Sequence, residues 1–209
     1  MNRPPFLSLD GIDGTGKSTQ CRLLASWLRS LGYTVMECAD PGGTALGDEL
    51  RKLLLGRGHK MSLPCEMLLF MASRAQLTAE AIRPALEAGH AVVADRFLLA
   101  NVVYQGHAGG LDAEELWRIG NVATGRLLPD LTLVLDLPIE KAVARRAAHE
   151  DRIESRGSDY HKRVREGFIA EARRSPATIR IIDADQPIDA VHQQICKEVR
   201  RVLEARQGA

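Results

Sequence analysis

Aromatic residues are scarce in this chain of 209 residues: four Phe, three Tyr and two Trp make up 4 % of it. A core must therefore rest on Leu, Val, Ile and Ala, and the 45 % hydrophobic content is enough to supply one. Long apolar runs are missing as well. None approaches the ~20 residues that cross a bilayer, and the start Met1-Asn2-Arg3-Pro4-Pro5 is not expected to be a signal peptide. Charge of one sign is absent: 28 Lys and Arg stand against 27 Asp and Glu, for a net +1. No general attraction to nucleic acid or membrane is expected from that balance. Cys21, Cys38, Cys65 and Cys196 form no C-x-x-C pair and keep no histidine at a ligand spacing. They read as reduced, packed thiols of a cytoplasmic protein, with no disulfide or zinc site. No internal repeat or low-complexity tract is present, and the length fits one domain carrying at most a small mobile insert.

What is present concentrates near the N-terminus. Apolar Phe6, Leu7 and Leu9 lead into Gly11-Ile12-Asp13-Gly14-Thr15-Gly16-Lys17-Ser18, followed by Thr19. This fits G-x-x-x-x-G-K-[ST], the loop that wraps phosphates between a first strand and a first helix. Glycines at 11, 14 and 16 let the backbone curl until successive N–H groups face one anion. Lys17 is expected to reach the β- and γ-phosphates, Ser18 to offer its hydroxyl to Mg²⁺, and the following helix to add its positive end. A glycine-rich turn without a ligand is the plainer reading, but it leaves the strand-to-helix context unexplained. The loop says nucleotide triphosphate and leaves the phosphoryl acceptor open.

Further along, apolar spacing predicts a helix over 17–31 stopped by Gly32, a strand at 33–38 and a turn at Pro41-Gly42-Gly43. Helices are expected at 45–55 and, as one long segment, at 64–88. The run 91–95 reads as a strand buried on both faces. Helical segments near 98–106 and 112–126 precede strands at 131–136 and 179–183. Between those two strands lie a helix near 138–148 and a charged stretch over 145–166. A last amphipathic helix covers 188–205. Alternating strands and helices predict a three-layer α/β fold, a five-stranded parallel sheet with helices on both faces. Ligands then bind at the carboxyl ends of the strands, which pools Asp10, Asp40 and Asp95 into one site.

Four constellations bear on chemistry. Asp95-Arg96 closes the third strand, where a carboxylate can hold Mg²⁺ directly or through water and an arginine can fork onto a phosphate; an ordinary strand-end ion pair is the alternative. Asn101, Tyr104 and Gln105 interrupt an apolar helix, and their amides can read a base edge, unless they only line a solvated face. Phe70 and Arg74 are one helical turn apart, a ring for stacking beside a cation, although a lone Phe is more often core. Arg145, Arg146, Arg152 and Arg156 fall in a stretch that could close over a triphosphate as a lid, or simply be a solvated charged face.

These motifs together resemble the thymidylate kinase family. The matching blocks are LDGIDGTGKSTQ (9–20), DPGGTALGDELRKLLL (40–55), LLFMASRAQ (68–76), IRPALEAGHAVVADRF (82–97), NVVYQG (101–106), DRIE (151–154), RVREGF (163–168) and IDADQP (182–187), in order through nearly the whole chain. The resemblance implies a P-loop NTPase fold with a short lid at about 145–157, and transfer of a phosphoryl group from ATP to dTMP with Mg²⁺. It implies that Phe70 stacks on thymine and that Arg74, Asn101 and Gln105 address its polar edge. Tyr104 would crowd the 2′ position, Asp13 would take the 3′-hydroxyl, and Arg51 and Arg96 would hold the acceptor phosphate. Asp10 and Asp95 would order the metal and its waters, with adenine against the lid and the turn 184–187. It also implies a homodimer. Three positions depart from the family pattern: Ala39-Asp40 stands where Arg-Glu is usual, Phe97 where Tyr is usual, and His149 at a lid position often held by Arg. Gly14-Thr15 supplies no arginine inside the loop, so Arg152, supported by Arg145, is the expected catalytic lid residue beside Lys17, Arg96 and Asp10. Two other readings stay open on sequence alone: a kinase of this fold with another nucleotide or deoxynucleoside acceptor, and a non-catalytic nucleotide switch.

Overall fold

A computed structural model of the chain describes residues 4–145 and 151–207. Its centre is a five-stranded, all-parallel sheet in the order β2-β3-β1-β4-β5, with β1 at Phe6–Asp10, β2 at Val35–Ala39, β3 at Ala91–Asp95, β4 at Leu131–Asp136 and β5 at Ile179–Asp183. The helices are α1 (Lys17–Ser30), α2 (Ala45–Leu55), α3 (Leu63–Leu77), α4 (Arg83–Glu87), α5 (Leu98–Asn101), α6 (Ala113–Ala123), α7 (Ile139–Arg145), α8 (Ser158–Arg174) and α9 (Ile188–Gln207). Alternation along β1 and β3 sends side chains to two cores. Leu7, Leu9 and Val93 meet Leu24 and Leu28 of α1 and Ile195 and Val199 of α9. Phe6, Val92 and Ala94 face the other way, against Met71 and Leu77 of α3 and Leu116 of α6. With both faces covered, β3 can be continuously apolar, as its sequence suggests.

The expected long helix over 64–88 is broken. A π-helical turn at Thr78–Ile82 separates α3 from α4. Pro84 has no N–H to give the carbonyl four residues back, and the wider turn accommodates that loss. A second π-helical turn, Val102–His107, replaces the end of the helix expected near 98–106. The charged stretch to 166 concealed the start of α8, which buries Tyr160, Val164, Phe168 and Ala172 at four-residue intervals. Its apolar stripe is narrow and its other faces carry charge, so the helix reads as a charge run. The remaining strands and helices fall within a few residues of expectation, although His149 and Arg146 lie outside the described residues.

The thiols are not uniformly packed. Cys21 and Cys196 are buried and Cys38 is partly so, but Cys65, in the first turn of α3, is exposed. Burial raises the pKa of both Cys21 and Cys38, the latter to about 12. Because the thiolate is the reactive form, native protein titrated with a disulfide reagent should show one fast thiol, and Cys65→Ser should remove that phase. All thiols should react in denaturant.

Candidate active site

Parallel register gathers the chemistry at one edge of the sheet. Leu9 pairs with Asp95 and Ala39 with the same Asp95, so Asp10, Asp40 and the Asp95-Arg96 corner lie side by side. The phosphate loop leaves β1 over this edge. Gly11, at φ 133°, lies so close to β4 that a Cβ would sit 2.5 Å from the Leu135 carbonyl oxygen. Gly14, at φ 89°, would place a Cβ 2.1 Å from the Ala142 oxygen of α7. Only glycine satisfies both the backbone angle and the close approach. Thr15 Oγ1 donates to the Ile12 carbonyl at 2.9 Å and fastens the loop internally.

Charges at this edge are tightly shared. Lys17 Nζ donates to the Ile12 carbonyl at 2.9 Å and to Asp13 Oδ1 at 3.3 Å. Arg96 donates to the Gly11 carbonyl at 2.9 Å and to the same Asp13 oxygen at 2.6 Å, with its guanidinium 5.1 Å from the Tyr104 ring centre. Arg96 also holds φ at 70°, a left-handed backbone rare for a side chain of its size. Burial works against ionisation of Asp13, yet the Arg96 and Lys17 cations hold its carboxyl well below the usual range. Lys17 is shifted down by burial and then by Arg96. Burial pushes Asp10 up to about 7, against the pull of Arg96 and Lys17. Both Asp10 carboxylate oxygens are buried without a hydrogen-bond partner. Beside it, Ser18 Oγ donates to Asp95 Oδ2 at 2.7 Å.

A cavity of about 850 Å³ opens from this loop. Thr19 and the loop from Asp13 to Ser18 form one wall, while Ala184, Gln186 and Pro187 lie beyond them. Arg51, Phe70, Arg74, Arg96, Asn101, Tyr104 and Gln105 form another part of the same lining. The sequence-predicted residues of both halves thus share one space; Asp10, Gly11 and Ile12 stand behind the loop. The second half is unusually ordered. Arg74, 1 % exposed, donates through Nε to Asp40 Oδ2 at 2.6 Å and through Nη1 to Asn101 Oδ1 at 3.0 Å. Asn101 Nδ2 donates to Gln105 Oε1 at 2.7 Å, and Gln105 Nε2 to Glu66 Oε1 at 2.8 Å. Arg51 Nη1 donates to the Pro41 carbonyl at 2.6 Å.

On the lid side, Asp151 folds its own turn by accepting from the N–H groups of Ile153 and Glu154 at 2.7 and 2.8 Å. Arg145, Asp151, Ile153 and Glu154 line the cavity. Arg152 does not. Its Nε donates to the Leu54 carbonyl at 2.8 Å and its Nη1 to Glu66 Oε2 at 2.5 Å. A buried carboxylate and the carbonyl end of α2 offer a guanidinium more than open solvent does.

The family model described as thymidylate kinase matches residues 9–195. This chain belongs to the thymidylate kinase family. A thymidylate kinase of Symbiobacterium thermophilum is 44 % identical over 203 residues, covering 96 % of this chain and 95 % of that relative. One from Rhodopirellula baltica is 46 % identical over 190 residues, covering 91 % and 78 %. The crystal structure of a thymidylate kinase from Ehrlichia chaffeensis superposes with a TM-score of 0.79 at 28 % identity, over 95 % of this chain and 99 % of that one. Residues that sequence reasoning missed are Glu66, Ser73, whose Oγ accepts from the Gly42 N–H at 3.1 Å, and Tyr160, whose hydroxyl donates to the Tyr104 carbonyl at 2.7 Å. Glu66 had a usable signal: it lies one and two helical turns before Phe70 and Arg74, on the same helix face.

The Gly14 contact generates a prediction. Gly14→Ala should weaken binding of a non-hydrolysable ATP analogue by at least about tenfold, read by calorimetry, because the new methyl displaces either the loop or α7.

Proposed function

We propose that this kinase transfers the γ-phosphoryl group of ATP in line to the 5′-phosphate of dTMP. One observation carries the reading: a phosphate loop and a buried Arg–Asn–Gln row beside an aromatic ring open onto the same cavity. Phe70 supplies a stacking face for thymine, and Arg74, Asn101 and Gln105 offer donors and acceptors to its polar edge. Tyr104, packed under Arg96, narrows the space beside the sugar. Asp13 takes the 3′-hydroxyl, and Arg51 and Arg96 hold the acceptor phosphate. The acceptor oxygen is already ionised, so no strong general base is required. Catalysis is then positioning together with charge neutralisation.

Donor phosphates lie in the loop from Gly11 to Thr19, with Lys17 on the transferred group and adenine against the 184–187 turn. Among the described lid arginines, Arg145 is the one that lines the cavity, and it donates to the Ala184 carbonyl. Arg152 would have to leave Glu66 to join it. The donor set suits Mg²⁺: Ser18 Oγ, Asp95 and the partnerless oxygens of Asp10 are all hard oxygen ligands. Bound there, Mg²⁺ would neutralise phosphate charge and fix the triphosphate's geometry. Around it, Asp95 orients the Ser18 hydroxyl, and Lys17 and Arg96 keep Asp13 ionised. We further propose a cytoplasmic homodimer. Leu46 and Leu53 share a face of α2, and they and Leu68 of the adjoining α3 are exposed apolar side chains that a second copy would cover.

Steady-state rates with dTMP, dUMP, dCMP, dGMP and thymidine test the acceptor, and dTMP should give the highest kcat/KM. Lys17→Ala should lower kcat by at least about a hundredfold in the same assay. Sedimentation should report a dimer, shifted toward monomer in Leu68→Glu.

A further inference from the structure

Glu66 is 1 % exposed, stands behind the cavity wall and makes every one of its contacts to a group that matters on one side or the other. Its Oε1 accepts from Gln105 Nε2 at 2.8 Å, and its Oε2 accepts from Arg152 Nη1 and Arg156 Nη2, both at 2.5 Å. The row that ends on it runs in a single direction. Arg74 donates to Asn101, Asn101 donates to Gln105, and Gln105 donates to Glu66. A guanidinium can only donate and a carboxylate can only accept, so the two ends leave the amides between them one compatible orientation. Turning both amides over would set an NH₂ group against Arg74 and a carbonyl against Glu66, inside a buried site where each mismatch is costly.

We propose that Glu66 is the positioning residue that sets the direction of this row, and through it the preference for a base presenting a carbonyl acceptor beside an N–H donor, while tying the row to the lid through Arg152 and Arg156. The inference rests on assigning the cavity to dTMP. Thymine has O4 as an acceptor where cytosine has the N4 amino donor. Arg74 donates whichever way the row runs, so it meets the N4 amino group donor to donor in every case. The row's direction decides the neighbouring atom: amide oxygens held in place accept thymine's N3–H, whereas amides free to turn can offer an NH₂ group to cytosine's N3, and the penalty shrinks. The lid half follows from Glu66 Oε2. Arg152 bridges that oxygen to the Leu54 carbonyl, and its own N–H donates to the Leu55 carbonyl at 3.1 Å. Arg156 adds Tyr160, whose hydroxyl it reaches at 2.8 Å. One carboxylate therefore joins the base-reading row to the stretch that carries Asp151, Ile153 and Glu154 on the cavity wall.

The plainer role, a buried ion pair that only holds α3 to the lid, makes different predictions. In steady-state assays at saturating ATP, Glu66→Gln should raise KM for dTMP and reduce the dTMP-over-dCMP preference in kcat/KM, each by about tenfold, the size of one charge-assisted hydrogen bond. The exchanged pair Glu66→Gln with Gln105→Glu again lets Asn101 donate to residue 105, and should recover the preference to within about threefold of wild type. Arg156→Ala leaves the Glu66–Gln105 bond intact; it should raise KM for dTMP about threefold or more with the base preference held within about twofold. An unchanged preference in Glu66→Gln, or none recovered in the exchanged pair, overturns the directional role. An unchanged KM in Arg156→Ala overturns the link to the lid. Should Glu66→Gln not fold, the exchanged pair still tests the directional role and Arg156→Ala the link to the lid. A wild-type enzyme that does not prefer dTMP would instead refute the acceptor assignment itself.

Discussion

Every strand of this sheet delivers an aspartate at or just past its carboxyl end. Asp10, Asp95, Asp136 and Asp183 are the final residues of β1, β3, β4 and β5, and Asp40 directly follows β2. Parallel pairing brings all five to one edge, where they would repel one another if left alone. The rest of the architecture answers that constraint. Arg165 of α8 grips Asp136 with two bonds of 2.6 and 2.8 Å, and Asp183 accepts the Asp185 N–H at 2.9 Å. Arg74 meets Asp40, Ser18 donates to Asp95, and Arg96 reaches across to Asp13. Only Asp10 keeps two partnerless oxygens among these five, and it lies beside the phosphate loop. Asp40 keeps one such oxygen, Oδ1, so the unsettled charge of this edge lies at Asp10 and Asp40 among the described residues.

Settling it has conformational costs. Arg96 holds a left-handed backbone so that its side chain can serve Gly11 and Asp13 together. Lys17 is buried against the Ile12 carbonyl and the Asp13 carboxylate, and burial, then Arg96, lowers its pKa. Asp13 is the carboxylate that both cations bond. An anion at the loop would meet two cations that share a single carboxylate oxygen.

How much of this was legible in the sequence depends on the kind of signal. The phosphate loop and the strand-end acids were readable because their residue types and spacings are dictated by anion geometry. Phe70, Arg74, Asn101 and Gln105 were legible as a group, although not as one directed chain, because the order of donors depends on tertiary neighbours. Glu66 was invisible in isolation: an acid in the first turn of a helix has an ordinary explanation in the helix dipole. The π-helical turn at 78–82 could have been inferred from Pro84, whereas the one at 102–107 has no such marker. Arg152 shows the limit most clearly. Its sequence neighbourhood is basic and suggests phosphate, while its tertiary neighbours are a carboxylate and the end of a helix, which no local pattern announces.

The contact between Gly14 and α7 links two stretches of chain that are far apart in sequence. A Cβ at position 14 would fall 2.1 Å from the Ala142 oxygen, so no long side chain can occupy the middle of the loop while α7 stays where it is. A longer side chain there, charged or not, is excluded by packing alone. Loop and helix are therefore not free to drift independently over generations. An arginine at position 14 of this chain would require α7 to be seated elsewhere. What the middle of the loop can carry is thus fixed by one close approach to the Ala142 carbonyl.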